Sequence, residues 1–209
     1  HTHDWFGVEA GFKASKYSNA KWIASFHSIS SSRSRKPSEK IEKLEKIGLE
    51  NSDIATAVSN KLADEIETDY NSKPETVYNG FSKPSQSSEK VLEFEKPVFF
   101  FVGRHSEQKG VEHLIYGFKK FLEDRDTSTL VIGGKGHMKE SFEEFTEILG
   151  LEENVEFEGF IPEEKLQSYY HIADVFVSPS INDPFGLTLS ADLSCGTNVV
   201  CTEIGINQL

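Results

Sequence analysis

Cysteine is scarce in this 209-residue chain, with Cys195 and Cys201 the two present. A disulfide scaffold is thereby excluded, and a reducing cytoplasm is the easier compartment to assume. Long apolar runs are also missing. None approaches the roughly 20 residues of a membrane span, and the opening residues do not read as a basic-then-apolar leader. Basic residues are in deficit, 22 Lys and Arg against 34 Asp and Glu, for a formal charge of −12. That balance argues against nonspecific nucleic-acid binding, which needs a basic footprint. It leaves room for a small anion in a locally basic pocket. The remainder is ordinary: 37% hydrophobic and 27% charged residues, the mixture of a globular protein. At roughly 100–200 residues per domain, the chain holds one large domain or two small ones. It is long enough to need no disulfide or metal staple.

Short apolar runs alternate with longer amphipathic stretches. Trp22–Phe26, Ile54–Val58 and Thr76–Tyr78 read as strands, and Pro37–Gly48 and Lys61–Tyr70 as helices. In the first of these helices Ile41, Leu44 and Ile47 share a face and Gly48 reads as the stop, while Ser59 can cap the second. Residues 81–96, rich in Ser, Lys, Glu and Pro, have linker composition. Beyond them the rhythm is cleaner. Strands at Val98–Val102, Leu130–Ile132, Val155–Phe157, Val175–Val177 and Asn198–Cys201 alternate with helices at Val111–Glu123, Met138–Leu149, Glu163–Ile172 and Gly186–Ser194. This alternation predicts an α/β protein with parallel, doubly wound sheets. Two such domains are expected, over residues 1–80 and 97–209, joined by the linker at 81–96. The ends read as cut, because His1–Asp4 stands where a strand should already have delivered the chain and residues 204–209 stop short of a further helix. The first domain accordingly reads as short of strands.

Three strand-to-helix junctions carry candidate chemistry. After the strand ending at Val102 comes Gly103-Arg104-His105-Ser106-Glu107-Gln108-Lys109-Gly110. Ligands of open α/β sheets bind beyond the carboxyl ends of the strands, and helix N-termini attract anions. Arg104 offers a planar fork of donors and Lys109 a compact charge, a pair suited to a diphosphate; a solvated basic loop is the plain alternative. Gly133-Gly134-Lys135-Gly136-His137 lets backbone amides approach a ligand closely, although it matches neither a Walker loop nor a dinucleotide fingerprint. Taken alone it reads as a tight turn. In Ser178-Pro179-Ser180-Ile181-Asn182-Asp183-Pro184-Phe185-Gly186-Leu187, Asp183 stands just before a helix, as a stabilising cap or as an acceptor of hydrogen bonds from a polyhydroxylated ligand. His27 follows a strand and so lies at a sheet edge. His1 and His3 invite a metal reading, but neither the scattered histidines nor the spacing of Asp4 supports it.

The ordered set HTHDW, FHS, VSNKL, VYNGF, FVGRHSEQKG, GGKGH, NVEFEGFI, ADVFVSPS, DPFGL and SCGTNVV resembles the GT-B glycosyltransferases. It is most similar to glycosyltransferase family 4 and the glycogen and starch synthases. The resemblance implies two Rossmann-like domains facing a cleft, with the nucleotide-sugar donor held chiefly by the second. It implies transfer of a hexose, with glucose leading, to a glycan or glycolipid acceptor, with retention of configuration and no metal or other cofactor. Arg104 and Lys109 would neutralise the donor diphosphate. Gly134 and Gly136 would line the nucleotide. Asp183, in place of the usual Glu, would sit with Phe185, Gly186 and Leu187 against the transferred sugar. His27 matches a histidine that contacts that sugar, and Asp4 a carboxylate lining the cleft. Ala191 stands where a second Glu is usual, followed by Asp192. This stretch alone is expected to be inactive. A non-catalytic GT-B relative and a metal-dependent hydrolase are the alternatives.

Overall fold

The structure is a computed structural model, and it describes residues 1–33, 36–80, 93–124, 127–182 and 197–203. The chain divides into two compact units, one formed mainly by residues 1–80 and the other mainly by the remainder up to residue 203.

The first unit holds a parallel four-stranded sheet, order β1-β2-β3-β4, from β1 (Thr2–His3), β2 (Ile23–Phe26), β3 (Ile54–Ala57) and β4 (Glu75–Thr76). Its helices are α1 (Asp4–Ser18), α2 (Ser30–Arg33), α3 (Glu39–Asn51) and α4 (Asn60–Tyr70). Two of these elements, β1 and α1, go beyond the sequence expectation. Thr2 and His3 pair in register with Ala24 and Ser25. The segment Asp4–Ser18 carries two glycines and only a loose apolar pattern, so its periodicity is faint. Both glycines are there for packing. A Cβ on Gly11 would run into the Trp22 indole, and one on Gly7 would lie 2.9 Å from the Thr2 Cβ. Gly48 likewise does not stop α3, which continues to Asn51. It is buried, and a Cβ there would meet Phe26 and Val8 at 3.0 Å each. Ser59 does cap α4, accepting from the Leu62 N–H at 3.2 Å. Val8, Trp22, Phe26, Ile29, Leu62 and Ile66 lead the core of this unit.

The second unit is a five-stranded parallel sheet, order β7-β6-β5-β8-β9. Its strands are β5 (Val98–Val102), β6 (Thr129–Gly133), β7 (Val155–Gly159), β8 (Val175–Ser178) and β9 (Asn198–Cys201). The described helices are α5 (Val111–Leu122), α6 (Lys139–Ile148) and α7 (Glu163–Ile172). Alternate side chains of one strand serve different cores, as the two-residue period of a strand requires. Phe101, Leu130 and Ile132 pack under α5 and α6, whereas Val98, Phe100 and Val131 pack under α7. On the latter side Phe100, Tyr170 and Phe176 meet edge to face, with centroids 5.4–5.9 Å apart. A sheet covered on both faces explains why its strands read as continuous apolar runs. The helix expected at Gly186–Ser194 and most of the linker expected at 81–96 lie outside the described residues.

Candidate functional site

The strand order of the second unit reverses direction between β5 and β8. A crevice at such a switch point, beyond the carboxyl ends of the strands, is where doubly wound sheets bind ligands. The loops leaving β5, β6 and β8 are stitched together there by backbone contacts. The Gly103 N–H donates to Gly133 O at 3.2 Å, the His105 N–H to Lys135 O at 2.9 Å and the Met138 N–H to His105 O at 3.3 Å. Arg104 thus lies on a segment bonded on both sides to the glycine loop. On the other flank the Ile181 N–H donates to Gln108 O at 2.7 Å, which ties the β8 loop to the turn carrying Lys109. Gly110, at φ +64°, closes that turn against the Pro179 carbonyl and starts α5.

The two loop glycines are required by space. Gly134 adopts φ +115°, and a Cβ on it would overlap the Gly103 carbonyl. A Cβ on Gly136 would overlap the His105 carbonyl. Gly134 is buried and Gly136 is exposed, so the latter presents its backbone to solvent. Arg104 is exposed and Lys109 half-buried. Lys109 directly precedes Gly110, the residue before α5, so its backbone lies at the positive end of that helix. The β8 loop is held from below by Thr202, whose Oγ1 donates to Ser180 O at 2.6 Å and whose N–H donates to Ser178 O at 3.1 Å. Asp183, Phe185, Gly186, Leu187, Ala191 and Asp192 lie outside the described residues.

His105, between Arg104 and Ser106, had no expected role. Its ring is fully buried, edge-on to Phe142 at 5.8 Å and Phe157 at 6.5 Å. Nε2 lies 3.4 Å from Gly133 O, and Nδ1 has no partner. Burial in this apolar pocket pushes its pKa below the ordinary histidine value. It braces the two loops from behind.

In the first unit, His27 and Asp4 come together at the carboxyl edge of β1 and β2. Asp4 takes a left-handed backbone conformation, φ +52°, which Asp tolerates better than most residues. That turn aims Oδ1 at the start of the β2 loop, where it accepts from the His27 N–H at 2.8 Å and the Ser28 N–H at 3.4 Å. One carboxylate oxygen is therefore committed to holding the backbone of His27. The ring of His27 meets His3, Nε2 to Nδ1, at 3.0 Å. The rings of His1 and His3, paired in the sequence by two-residue spacing, lie 4.4 Å apart and tilted at 34°. Among the described residues no group of three or more His, Cys, Asp or Glu is placed to hold a metal ion.

The segment after His27 is fixed by a buried carboxylate. Glu45 of α3 is fully buried, where its Oε2 accepts from the Ser30 N–H at 3.1 Å and the Tyr70 hydroxyl at 2.6 Å. Its Oε1 pairs with Arg33 at 2.7 Å, and Arg33 also donates to Ser28 Oγ at 3.2 Å. Burial pushes the Glu45 carboxyl up, while the Tyr70, Ser30 and Arg33 contacts pull it down. An open hollow of about 530 Å³ flanked by Ser31, Glu42, Lys46 and Tyr70 lies on this unit, and none of the expected site residues lines it.

Comparison with known proteins agrees with this architecture. The family described as glycosyl transferases group 1 matches residues 82–208, more than half of the chain. An uncharacterized glycosyltransferase of Methanocaldococcus jannaschii is 30% identical over 98% of this chain and 57% of its own length. The alpha-maltose-1-phosphate synthase of Mycolicibacterium smegmatis is 25% identical over 98% of this chain and 59% of its own. The chain thus spans somewhat over half the length of these relatives. Among solved structures, the sucrose-phosphate synthase of Thermosynechococcus elongatus superposes with a TM-score of 0.79 at 25% identity, over 98% of this chain and 56% of that one. HepE of Anabaena, solved in complex with UDP-glucose, shares the fold with a TM-score of 0.79 at 18% identity, over 96% of this chain and 58% of its own. With its two parallel-sheet units and a family match across the second of them, the chain belongs to the group 1 glycosyl transferases and has the GT-B fold.

Proposed function

We propose that the protein transfers a hexose, with glucose the leading candidate, from a nucleoside-diphosphate sugar to a glycan or glycolipid acceptor, with retention of anomeric configuration and without a metal ion. One observation carries this reading. At the switch point of the second sheet, bonded loops present Arg104, Lys109, the start of α5 and the exposed backbone of Gly136 at one edge, while the Gly134 N–H is spent on Gly159 O at 2.6 Å. When the bond from sugar to diphosphate breaks, negative charge grows on the leaving phosphate oxygen. Fixed cations and backbone N–H groups that await that charge lower the barrier without reorganising. Arg104 suits the diphosphate oxygens as a two-pronged donor and Lys109 as a point charge. HepE, a fold neighbour, was solved with UDP-glucose. That makes uridine diphosphate the first donor nucleotide to try. Asp183 and His27 enter as the resemblance gives them, at the transferred sugar, and Asp4 as a carboxylate lining the cleft.

Calorimetry of the chain with UDP, GDP and ADP, beside turnover of the matching glucose donors by the full-length protein, tests this. Lys109→Ala should weaken nucleotide binding about 10- to 100-fold, the effect of losing charge-assisted bonds. Asp183→Ala should abolish turnover while sparing nucleotide affinity. Ala191, in the position usually occupied by a second Glu, favours the other reading, a non-catalytic relative. Tight nucleotide binding with no turnover by the full-length protein in the presence of glycan acceptors would select it.

A further inference from the structure

His27 is gripped from two directions. Asp4 Oδ1 holds its backbone N–H at 2.8 Å, and His3 Nδ1 holds its Nε2 at 3.0 Å, with the two rings inclined at 40°. His3 is itself braced: the His1 ring lies against it, tilted at 34° with centroids 4.4 Å apart, and His1 Nε2 is bonded at 2.7 Å to Ser25 Oγ, which meets Thr56 Oγ1 at 2.6 Å. A chain of contacts therefore runs across β1, β2 and β3 and ends on the His27 ring. A nitrogen-to-nitrogen bond between imidazoles demands one donor and one acceptor. If His3 donates from Nδ1, His27 carries its own proton on Nδ1 and offers a donor there. If His27 donates from Nε2, its Nδ1 is bare and offers an acceptor.

We propose that His3 is a positioning residue for His27: it occupies Nε2 and sets which nitrogen of His27 bears the proton, and thereby whether Nδ1 presents a donor or an acceptor to a sugar hydroxyl. The inference rests on the reading of His27 as a contact of the transferred sugar. His27 is half-buried and His3 exposed, so a ligand can reach the pair. Asp4, by the same geometry, serves His27 through its backbone.

Two measurements on the ¹⁵N-histidine-labelled chain separate this inference from the transferase reading. Long-range ¹H–¹⁵N spectra give the tautomer of each imidazole from its two nitrogen shifts, with His27→Ala supplying the assignment. His3→Phe keeps a ring against His1 but removes the bond. It should return His27 to the tautomer mixture of a free imidazole. His3→Asn places an amide atom near the position of Nδ1, and should restore a single form. In parallel, His3→Phe should weaken UDP-glucose binding about threefold to tenfold, the worth of one hydrogen bond, while leaving UDP affinity unchanged. The Asn variant should recover most of that loss. Unchanged His27 nitrogen shifts in His3→Phe overturn the proposal, as does an equal loss of UDP and UDP-glucose affinity. Should the wild-type chain fail to bind UDP-glucose, the transferase reading is what fails, and the nitrogen shifts alone then decide the pairing.

Discussion

His105 illustrates how one side chain can be tied to pH without touching a ligand. Its ring is buried with Nδ1 unpaired, and desolvation lowers its pKa below the ordinary 6.5. The unfolded chain therefore binds a proton more readily than the folded one between those two values. Stability contributed by the neutral ring is complete above about pH 6.5 and declines as the pH falls towards the folded value. His105→Leu should abolish this dependence. Gly133 O keeps the Gly103 N–H as a partner, so the change leaves no new unpaired group and should be close to neutral at pH 7. Urea midpoints at pH 7.5 and 5.5 for both proteins test this, and an equal acid loss in the Leu variant would refute it. At the neighbouring glycine, Gly136→Ala must push the β5 and β6 loops apart, because its Cβ overlaps the His105 carbonyl. Nucleotide affinity should fall at least tenfold while the far-ultraviolet circular dichroism stays unchanged. The sequence shows Gly134 and Gly136 as glycines, but not which carbonyl each one clears. His105 reads from the sequence as a loop residue beside two cations, since nothing local reveals that Phe142 and Phe157 close over it.

Helix α3 marks the boundary of what periodicity can reveal. Ile41, Leu44 and Ile47 do lie along one side, yet its fully buried positions are Glu45, Gly48 and Leu49. Apolar spacing misplaces the face because its central residue is a carboxylate, which only the tertiary structure supplies with Tyr70, Ser30 and Arg33. Removing that carboxylate strands three partners. Glu45→Ala should therefore cost about 3–5 kcal/mol, the range for breaking a buried pair from one side. Glu45→Gln keeps much of the shape and should cost distinctly less. Chemical denaturation of the two variants measures the difference; equal losses would mean that charge and not hydrogen bonding holds the segment. The held segment starts at Ser28, one residue after His27, and runs to Arg33, and beyond it the Ser38 N–H donates to Ser30 Oγ at 3.0 Å. Loosening it should raise hydrogen exchange of the His27 and Ser28 amides before the rest of the unit responds. In contrast α7, with matching ends at Glu163–Ile172, and the apolar run Val98–Val102 were legible at once, because local pattern and burial agree there.

At the scale of the whole molecule, the described residues form separate cores, one in the first unit and two flanking the sheet of the second. Both tryptophans, Trp5 and Trp22, lie in the first unit. Indole fluorescence therefore reports that unit, whereas circular dichroism reports both. Leu62→Ala, at a fully buried site, should lower the fluorescence-detected stability by about 2–5 kcal/mol. Ile132→Ala, equally buried in the second unit, should shift the dichroism curve and leave fluorescence in place. A fluorescence shift in Ile132→Ala as large as its dichroism shift would show that the units unfold as one. The alternation of strands and helices made this two-part plan readable, because each parallel strand needs its own crossover. The bonds between loops, which bring Gln108 to Ile181 and His105 to Lys135, were not readable. They join residues far apart in sequence through backbone atoms that carry no residue-type signal.

Within each sheet every strand runs the same way, so the turns that feed the strands sit at the rim opposite to Arg104, Lys109 and His27. Exposed Glu152 and Glu153, in the turn between α6 and β7, occupy that far rim of the second unit. A dye, an affinity handle or a surface tether grafted there leaves the rim of the proposed donor site open, and gives a place to immobilise the protein for binding work without blinding it.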